Sequence, residues 1–555
     1  MALYSTRLLL VVFPMVAFLL PWQSELTQAA GQQRLKLLYY TASDDGSHHL
    51  TNTKIAEALV RRGHDVTFLL SSSCTKWRNT SGANLFKFFV FQSRYTEEER
   101  TQNLREISRL GLRGELRGFV NAMKFYLKQR FFGDKRSSKV LFDFHFSECN
   151  SLLGDNTTIQ ALKQERYDLL VGEDLSDCQP LLAEILGIRF VLISGTGIIP
   201  SKGNWYGIPR HPAYIPERHV GLSDTMNLPQ RTLNAYAYII YDALRRVTLW
   251  KYEDLQRQYN LRPEKRMPEM LAGAQLWLFY GDFGLEYARP MQPNAMFLAS
   301  PMLGLPSEET VPQDQQEFLD AAHQGVVLFT LGGHVNEMQT AQAQMFANGL
   351  AKLSQRVLWQ FSGSVSHLRI GDNTKVVQWI PQQKIMAHPN TKALLSHGGL
   401  NGMYEAAWYG LPMVGIPLFG DHFDNMERAV SKGMALQLDI VGLTEEVLSQ
   451  TVDQVIKDPR FRKRAQHISR ILRDQPVIPS EKAAHWIEHV TKYGGEYLRP
   501  RAADLSWIEY HLVDVYAFLV AILFIVLGLL FLCLRVCLWL ACGRNKQGKI
   551  KSKAD

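Results

Sequence analysis

One short stretch of the chain, residues 379–425, carries many of the residues whose types and spacing could do chemistry. Within it, a strand predicted at Ala393–Leu395 is followed by Ser396-His397-Gly398-Gly399 and by a helix that opens near Asn401. Glycines let a ligand approach the backbone closely, and a helix N-terminus presents unpaired N–H groups and the positive end of a dipole. The pattern predicts a binding site for a diphosphate.

Two more side chains in this stretch suit the rest of a nucleotide. Glu405 lies one turn into the predicted helix, where its carboxylate can accept hydrogen bonds from two adjacent hydroxyls, as a ribose presents. Trp379, at the end of a predicted strand, offers a flat aromatic face to a base. A lone His-Gly-Gly is typical of a plain glycine turn, but the whole set indicates a nucleoside diphosphate.

The stretch resembles the signature of the UDP-glycosyltransferase family, and the resemblance extends over nearly the whole chain. Thr330-Leu331-Gly332-Gly333 stands where the family has a turn that faces the diphosphate, with Thr and Gly replacing two serines. The resemblance implies a UDP-sugar donor. It also implies donor-site roles: Thr330 and Gly332 at the diphosphate turn, Trp379 and Gln382 at the nucleoside, His397, Gly399, Asn401 and Gly402 at the diphosphate, Glu405 at the ribose, and Asp421 and His422 at the sugar.

The resemblance places the catalytic base in the other half of the chain. Asp45-Gly46-Ser47-His48, in a loop predicted after the first strand, matches a family pattern whose histidine takes the proton of the acceptor hydroxyl. An imidazole with a pKa of about 6.5 is a suitable general base near neutral pH, provided that a carboxylate orients it. A solvated loop histidine is the alternative for His48, and the adjacent His49 is the competing candidate.

The carboxylate that would orient His48 departs from the family pattern. The segment 167–173 aligns with a family segment that ends in Asp, whereas here it ends in Glu173, followed by Asp174. A glutamate is one methylene longer and still able to reach an imidazole. Glu173 is therefore the predicted partner of His48, with Asp174 as the alternate.

A second departure lies at His422, where most family members have Gln. Ceramide galactosyltransferases resemble this chain there, with Gly-Asp-His at 420–422. An imidazole cannot reproduce both the donor and the acceptor functions of a carboxamide, so recognition of the sugar hydroxyls should change. UDP-galactose is the favoured donor, with UDP-glucose second and UDP-glucuronate third. Neither a metal nor another cofactor is expected, since the imidazole of His397 and the helix N-terminus can supply the positive field.

Strands and helical stretches alternate in two halves of the chain, which predicts an α/β fold with parallel sheets. The predicted strands are Leu35–Tyr40, Val66–Leu70, Asp168–Val171 and Phe190–Ile193 in the first half, and Val326–Leu331, Val357–Phe361, Lys375–Gln378, Ala393–Leu395 and Met413–Ile416 in the second. Two Rossmann-like domains facing a cleft (the GT-B type) follow, with ligands at the carboxyl ends of the strands. The predicted acceptor domain is 31–290 and the donor domain 291–490.

The ends of the chain indicate a membrane protein. Residues 1–30 read as a secretory signal peptide, with an uncleaved anchor as the alternative. After a juxtamembrane segment at 491–514, residues 515–534 carry no charge and predict a transmembrane helix. The basic tail, 535–555, is then cytosolic. Because most of the net charge of +8 sits in that tail, a nucleic-acid partner is excluded.

The compartment follows from shorter signals. Lys551 and Lys553, near the C-terminus, resemble a dilysine retrieval signal, which predicts a single-pass type I protein of the endoplasmic reticulum membrane with a lumenal body. Asn79 and Asn156 lie in N-x-[ST] sequons and are predicted glycosylation sites. The cysteines show no metal-ligand spacing, and one lumenal disulfide is left open.

The acceptor is less defined by sequence. Leu110–Lys135 mixes apolar and basic residues, so it is either a membrane-surface segment that admits a lipophilic acceptor such as a sphingolipid, or an ordinary solvated helix. A nicotinamide oxidoreductase is discounted because no G-x-G-x-x-G follows the first strand, and an adhesion receptor does not account for the long α/β body. A catalytically silent UDP-sugar or lipid binding protein stays an alternative, and a homo-oligomer is left open.

Overall fold

A computed structural model describes residues 34–41, 46–80, 82–131, 140–305, 309–333, 335 and 337–551. The predicted signal peptide, Asp45 and the last four residues of the tail lie outside the described residues. Strand pairing joins thirteen strands into two sheets. In chain order they are β1 Lys36–Tyr40, β2 Asp65–Ser71, β3 Lys87–Phe91, β4 Leu169–Glu173, β5 Arg189–Ser194, β6 Trp277–Phe279, β7 Ala295–Phe297, β8 Val326–Thr330, β9 Arg356–Gln360, β10 Thr374–Val377, β11 Thr391–Ser396, β12 Met413–Gly415 and β13 Ala435–Gln437.

Helices connect these strands and cover both sheets. They are α1 Gly46–Arg61, α2 Glu97–Leu112, α3 Gly118–Phe131, α4 Val140–Gly154, α5 Asn156–Glu165, α6 Gln179–Leu186, α7 Gly203–Tyr206, α8 Leu228–Gln258, α9 Met267–Leu271, α10 Gln313–Asp320, α11 Thr340–Ala351, α12 Gln382–Ala387, α13 Leu400–Trp408, α14 His422–Ser431, α15 Glu445–Lys457, α16 Pro459–Arg473, α17 Pro479–Tyr493, α18 Trp507–Tyr510 and α19 Val513–Lys551.

Both sheets are parallel throughout their named strands. The first has the order β3-β2-β1-β4-β5-β6-β7 and the second β10-β9-β8-β11-β12-β13. The inner strands β4 and β8 are buried along their whole length, as their apolar sequences require when helices cover both faces. Strand order reverses between β1 and β4 and again between β8 and β11, and such reversals open a crevice at the carboxyl ends of the strands.

The strands predicted from the sequence are all present, with bounds shifted by a residue or two. Prediction missed β3, β6, β7 and β13. Three of these have only three residues each, too few to show a periodic pattern. The fold class is therefore confirmed, and the sheets are wider than predicted.

The two halves are not divided at residue 290. Strand β7 pairs with β6 and extends the first sheet to Phe297, inside the stretch that the sequence assigned to the donor domain. After the second sheet the chain returns, and α17 packs against α1 of the first half. There Arg62 Nε lies 2.9 Å from Glu481 Oε2, and the buried His64 Nε2 lies 2.7 Å from Glu488 Oε1. The predicted range 291–490 therefore contains two elements that belong with the first sheet.

The last helix, α19, stands apart from the two sheets. Its segment Val513–Cys542, 30 residues, is long and apolar enough to cross a membrane, by length and composition. At a rise of about 1.5 Å per residue it is ~45 Å long, more than the ~30 Å of a hydrocarbon core. Its side chains are exposed along the whole segment, so it is not a core helix of the described chain. The predicted span 515–534 lies within it.

Candidate active site

His48 lies in the first turn of α1, directly beyond the carboxyl end of β1. The sequence predicted a loop here, but the helix begins two residues earlier, at Gly46. His48 Nδ1 faces Glu173 Oε1 at hydrogen-bond distance, and the imidazole keeps 23% of its surface exposed while the carboxylate is fully buried. Glu173 therefore contacts the ring at Nδ1, and Nε2 is the other nitrogen of the imidazole.

Glu173 is the last residue of β4, the neighbour of β1, which explains why the two side chains meet. Its carbonyl accepts a 2.5 Å hydrogen bond from Gln179 Nε2, which fixes the strand end. Asp174, the alternate candidate, points elsewhere: its Oδ2 lies 2.9 Å from Lys202 Nζ and accepts a 3.2 Å hydrogen bond from the Tyr206 hydroxyl. The structure thus brings Glu173, and not Asp174, against His48.

His49, the competing candidate, belongs to the core of the first domain. Its ring stacks on Trp77, with centroids 4.4 Å apart, and it is buried. Burial and the nearby Lys76 lower the pKa of His49 to about 4. It packs away from the carboxylate that meets His48.

His397 occupies the predicted diphosphate turn between β11 and α13. A Cβ added to Gly332 would lie 2.8 Å from its Cε1, and one added to Gly399 would lie 2.6 Å from its Nε2. The imidazole therefore sits between two glycines that leave it just enough room. Gly398 has φ +81°, a left-handed conformation that favours glycine. Thr330 Oγ1 accepts a 3.1 Å hydrogen bond from the Gly332 amide, which closes the second turn.

Glu405, on the second turn of α13, is held by two amides. Gln382 Nε2 donates to Oε2, and Gln383 Nε2 donates to Oε1 at 3.2 Å. Burial raises the pKa of Glu405 to about 7, although both hydrogen bonds act to lower it. Trp379 follows β10 and is 60% exposed, so its indole is accessible to a ligand.

Asp421 and His422 begin α14. The His422 ring meets the His397 ring at 4.5 Å, so the predicted sugar and diphosphate residues are adjacent. Asn425 Nδ2 donates to Asp421 Oδ2 at 2.8 Å. Burial raises the pKa of Asp421, but the positive fields of His422, Arg218 and His48 together with the Asn425 hydrogen bond outweigh it and hold that pKa below its ordinary value. His48 therefore lies within electrostatic reach of Asp421 across the cleft.

A direct bond crosses the cleft at Asn401. Its Nδ2 donates to Thr51 Oγ1 of α1 at 3.0 Å, and its Oδ1 accepts from Ser300 Oγ at 3.0 Å. In this structure the Asn401 side chain thus joins the two domains, which leaves its backbone amide as the group able to meet a diphosphate. Gly402 follows it, and a Cβ there would contact only Ser396 Oγ and Gln382 Nε2, at 3.8 and 3.9 Å.

Besides the contacts described above, the sequence analysis missed four neighbours of the His48–Glu173 pair and of Asp421. Asn52 and Tyr280 lie beside Glu173, Gly195 beside both Glu173 and His48, and Arg218 beside Asp421. Only Asn52 carried a usable signal, since it stands one turn after His48 and on the same helix face. The others reach the site from distant parts of the chain.

The remaining predicted features lie outside the cleft. Asn79 and Asn156 are exposed. A disulfide joins Cys149 to Cys178, which settles the question that the sequence left open. In the described part of the amphipathic segment, Phe119 of α3 packs edge-on against Tyr241 at 5.7 Å, whereas Val120 is 61% exposed.

The family described as "UDP-glucoronosyl and UDP-glucosyl transferase" matches residues 36–548, nearly the entire described chain. The chain belongs to this family. It is an enzyme of the UDP-glycosyltransferase class, as its motifs predicted.

Curated relatives of this enzyme fall into two groups. It is 33% identical over 480 residues to 2-hydroxyacylsphingosine 1-beta-galactosyltransferase of Homo sapiens, covering 84% of this chain and 82% of that one. It is 32% identical over 521 residues to UDP-glucuronosyltransferase 2B33 of Macaca mulatta, covering 93% of this chain and 95% of that one.

Solved glycosyltransferases share the fold at low identity. The glycotransferase of kitacinnamycin matches with TM-score 0.58 and 18% identity, over 82% of this chain and 99% of its own. CalG4, the calicheamicin glycosyltransferase, matches with TM-score 0.54 and 16% identity, over 84% of this chain and 99% of its own. These likenesses confirm the predicted GT-B fold.

Proposed function

We propose that this enzyme transfers a hexose from a UDP-sugar, UDP-galactose in the first place, to a hydroxyl of a lipophilic acceptor such as a sphingolipid, with inversion at the anomeric carbon. The observation that carries the proposal is the pairing of His48 with Glu173 in the first domain. In the second domain, the rings of His397 and His422 meet at the predicted donor site. One domain supplies a proton acceptor and the other a diphosphate site, and the cleft between them is where the two substrates would meet.

Donor binding is assigned to the second domain. Trp379 stacks on the uracil, Gln382 contacts the nucleoside, and Glu405 accepts the ribose hydroxyls. The diphosphate rests on His397, the turn at Thr330 and Gly332, and the amides of Gly399, Asn401 and Gly402. The glycine-lined space around the His397 ring and the N-terminus of α13 support this assignment. These groups supply a positive field, so the proposed mechanism uses no metal or other cofactor.

The chemical step uses the first domain. With Nδ1 held by the buried carboxylate of Glu173, His48 presents Nε2 to the acceptor. Nε2 takes the hydroxyl proton as the acceptor oxygen attacks the anomeric carbon from the face opposite UDP. The carbon–oxygen bond to the acceptor forms, and the bond from the anomeric carbon to the diphosphate oxygen breaks, so that UDP leaves with the electron pair. Glu173 stabilises the imidazolium that results.

The sugar preference rests on Asp421 and His422. A histidine at the second position alters the hydrogen bonds offered to the hexose hydroxyls, and the similarity to a galactosyltransferase of comparable length supports galactose. UDP-glucose and UDP-glucuronate are the alternative donors, with small lipophilic molecules as acceptors, and the similarity to glucuronosyltransferases supports the latter. A catalytically silent binder of UDP-sugars or lipids would keep the donor site and show no turnover.

We also propose the location: a single-pass protein of the endoplasmic reticulum membrane with its catalytic body in the lumen. The apolar helix Val513–Cys542 supports the anchor. The disulfide between Cys149 and Cys178 suits an oxidising compartment, and exposure of Asn79 and Asn156 suits their glycosylation. Digestion of the membrane-bound protein with an endoglycosidase, with each Asn→Gln variant as a control, tests lumenal placement.

The experiment that tests the reaction offers UDP-galactose, UDP-glucose and UDP-glucuronate to the detergent-solubilised protein, each with a ceramide and with a simple phenol, and measures UDP release. UDP-galactose with ceramide is expected to turn over fastest. Faster turnover of UDP-glucuronate with the phenol would replace the galactose proposal. UDP binding without release for any pair would favour the silent binder.

A further inference from the structure

Asn52 is a buried amide one turn after His48 on α1, and its two ends have different partners. Its Nδ2 lies 3.5 Å from Glu173 Oε2, whereas His48 faces the other carboxylate oxygen, Oε1. Its Oδ1 accepts a 3.2 Å hydrogen bond from the Tyr280 hydroxyl, which reaches the site from the end of β6. A chain of contacts therefore runs from Tyr280 through Asn52 and Glu173 to His48.

The chemistry of these groups fixes the direction of the chain. An ionised carboxylate only accepts hydrogen bonds, so Asn52 must turn its NH₂ toward Glu173 and its oxygen toward a donor. Tyr280 is that donor: burial and the charge of Glu173 raise its pKa well above the ordinary value, so the phenol keeps its proton. The amide thus has one stable orientation, and that orientation serves the charged form of Glu173.

Gly195 closes the other side of the pair. A Cβ added there would lie 2.7 Å from both Glu173 Oε1 and His48 Nδ1, closer than ordinary van der Waals contact. The longer carboxylate side chain at position 173 consequently fits because residue 195 has no side chain. Asn52 therefore contacts one oxygen of Glu173, and the absence of a side chain at Gly195 leaves room for the other.

We infer that Asn52 is a positioning residue of the proton-accepting pair, fixing Glu173 against His48, and that with Gly195 it adapts this site to glutamate at position 173. The inference rests on the proposed function, in which His48 is the base. Asn52 touches neither substrate. It acts by holding the carboxylate in the one place where the imidazole is oriented and its charge is stabilised.

Two variants of Asn52 test this role. Asn52→Asp keeps the shape but places a second acidic group about 3.5 Å from the first, and the added negative charge favours the imidazolium form of His48. The acid limb of the pH profile of kcat/KM should move up by about one pH unit or more. Asn52→Leu removes the donor, and kcat should fall roughly tenfold to a hundredfold while the KM for the UDP-sugar changes little. Tyr280→Phe removes only the hydroxyl that donates to Asn52 Oδ1 and should also lower kcat.

A readout that does not depend on turnover separates this inference from the proposed function. Diethylpyrocarbonate modification of His48, followed by mass spectrometry across pH, reports the ionisation of its partly exposed ring. Its midpoint should rise in Asn52→Asp by about the shift of the acid limb. Asn294→Asp is the matched control, because Asn294 is also buried but lies just before β7, an edge strand of the first sheet, whereas β1 and β4 are central.

The outcomes are distinct. If the midpoint of His48 modification shifts in Asn52→Asp but the wild-type enzyme shows no turnover, the proposed function is wrong and the positioning role of Asn52 stands. An unshifted midpoint in Asn52→Asp, or an equal shift in Asn294→Asp, would overturn the positioning role. If the Asn52 variants do not fold, an unchanged kcat in Tyr280→Phe overturns it as well.

Discussion

Binding of the UDP-sugar should weaken on acidification because of Glu405. This carboxyl is buried, and burial raises its pKa to about 7 despite the hydrogen bonds from Gln382 and Gln383. Ribose hydroxyls donate best to an ionised carboxylate. Donor binding therefore stabilises the charged form, lowers the pKa of Glu405 and releases a fraction of a proton near pH 7.

The magnitude follows from the ionised fraction. With a pKa of about 7, Glu405 is ionised in about 90% of molecules at pH 8 and in about 10% at pH 6. If only the ionised form binds the ribose, the Kd for UDP-galactose rises about tenfold over this range, or ~1.4 kcal/mol. The variant Glu405→Gln isolates the contribution of this carboxyl group.

Isothermal calorimetry with UDP-galactose at pH 6, 7 and 8, repeated in buffers of different ionisation enthalpy, measures both affinity and proton release. UDP-galactose is preferred over UDP because its diphosphate has no titrating terminal phosphate in this range. The wild type should release protons at pH 7, whereas Glu405→Gln should not, and the affinity of the variant should lose the tenfold dependence on pH that Glu405 causes. Equal proton release by the two proteins would refute the reasoning.

Three further predictions concern the donor site and the fold. Trp379→Ala should raise the Kd for UDP-galactose by about tenfold to a hundredfold through lost stacking, ~1–3 kcal/mol, and an unchanged Kd by calorimetry would exclude the indole from the uracil site. His422→Gln restores the carboxamide common in the family and should lower the ratio of kcat/KM for UDP-galactose over UDP-glucose; a constant ratio would show that this side chain does not read the sugar. Replacing both Cys149 and Cys178 by Ser opens a loop with a sequence separation of 29 and should lower the free energy of unfolding by ~3 kcal/mol in urea melts. If neither the double replacement nor a reductant lowers the midpoint of the urea melt, the disulfide does not stabilise the fold as predicted.

Local features of this enzyme followed well from the sequence. Buried parallel strands are continuous apolar runs in the sequence, and the two glycines after His397 predict a turn. The meeting of His48 and Glu173 was predicted from the resemblance to the family, and the structure explains it by placing the two residues at the carboxyl ends of neighbouring strands. The preference for Glu173 over Asp174 rested on alignment, and the geometry agrees because successive residues at a strand end point to opposite sides.

Features that depend on how the domains dock did not follow. The bond between Asn401 and Thr51 joins residues 350 positions apart, and nothing local marks either as a cross-cleft partner. The return of α17 onto the first domain rests on ion pairs and packing with α1, which an amphipathic helical pattern does not specify. Gly195 could not be predicted either, because its importance lies in the side chain that it lacks and in two neighbours from other elements, Glu173 on β4 and His48 on α1.

The measurement that tests the central claim most directly compares His48→Gln with the wild type, using the donor and acceptor pair that turns over fastest. The account predicts that kcat falls by about 10²–10⁴-fold, the usual contribution of a positioned general base. It also predicts that the Kd for the UDP-sugar is nearly unchanged, because the donor site lies in the other domain. Retention of wild-type kcat by His48→Gln would contradict the account.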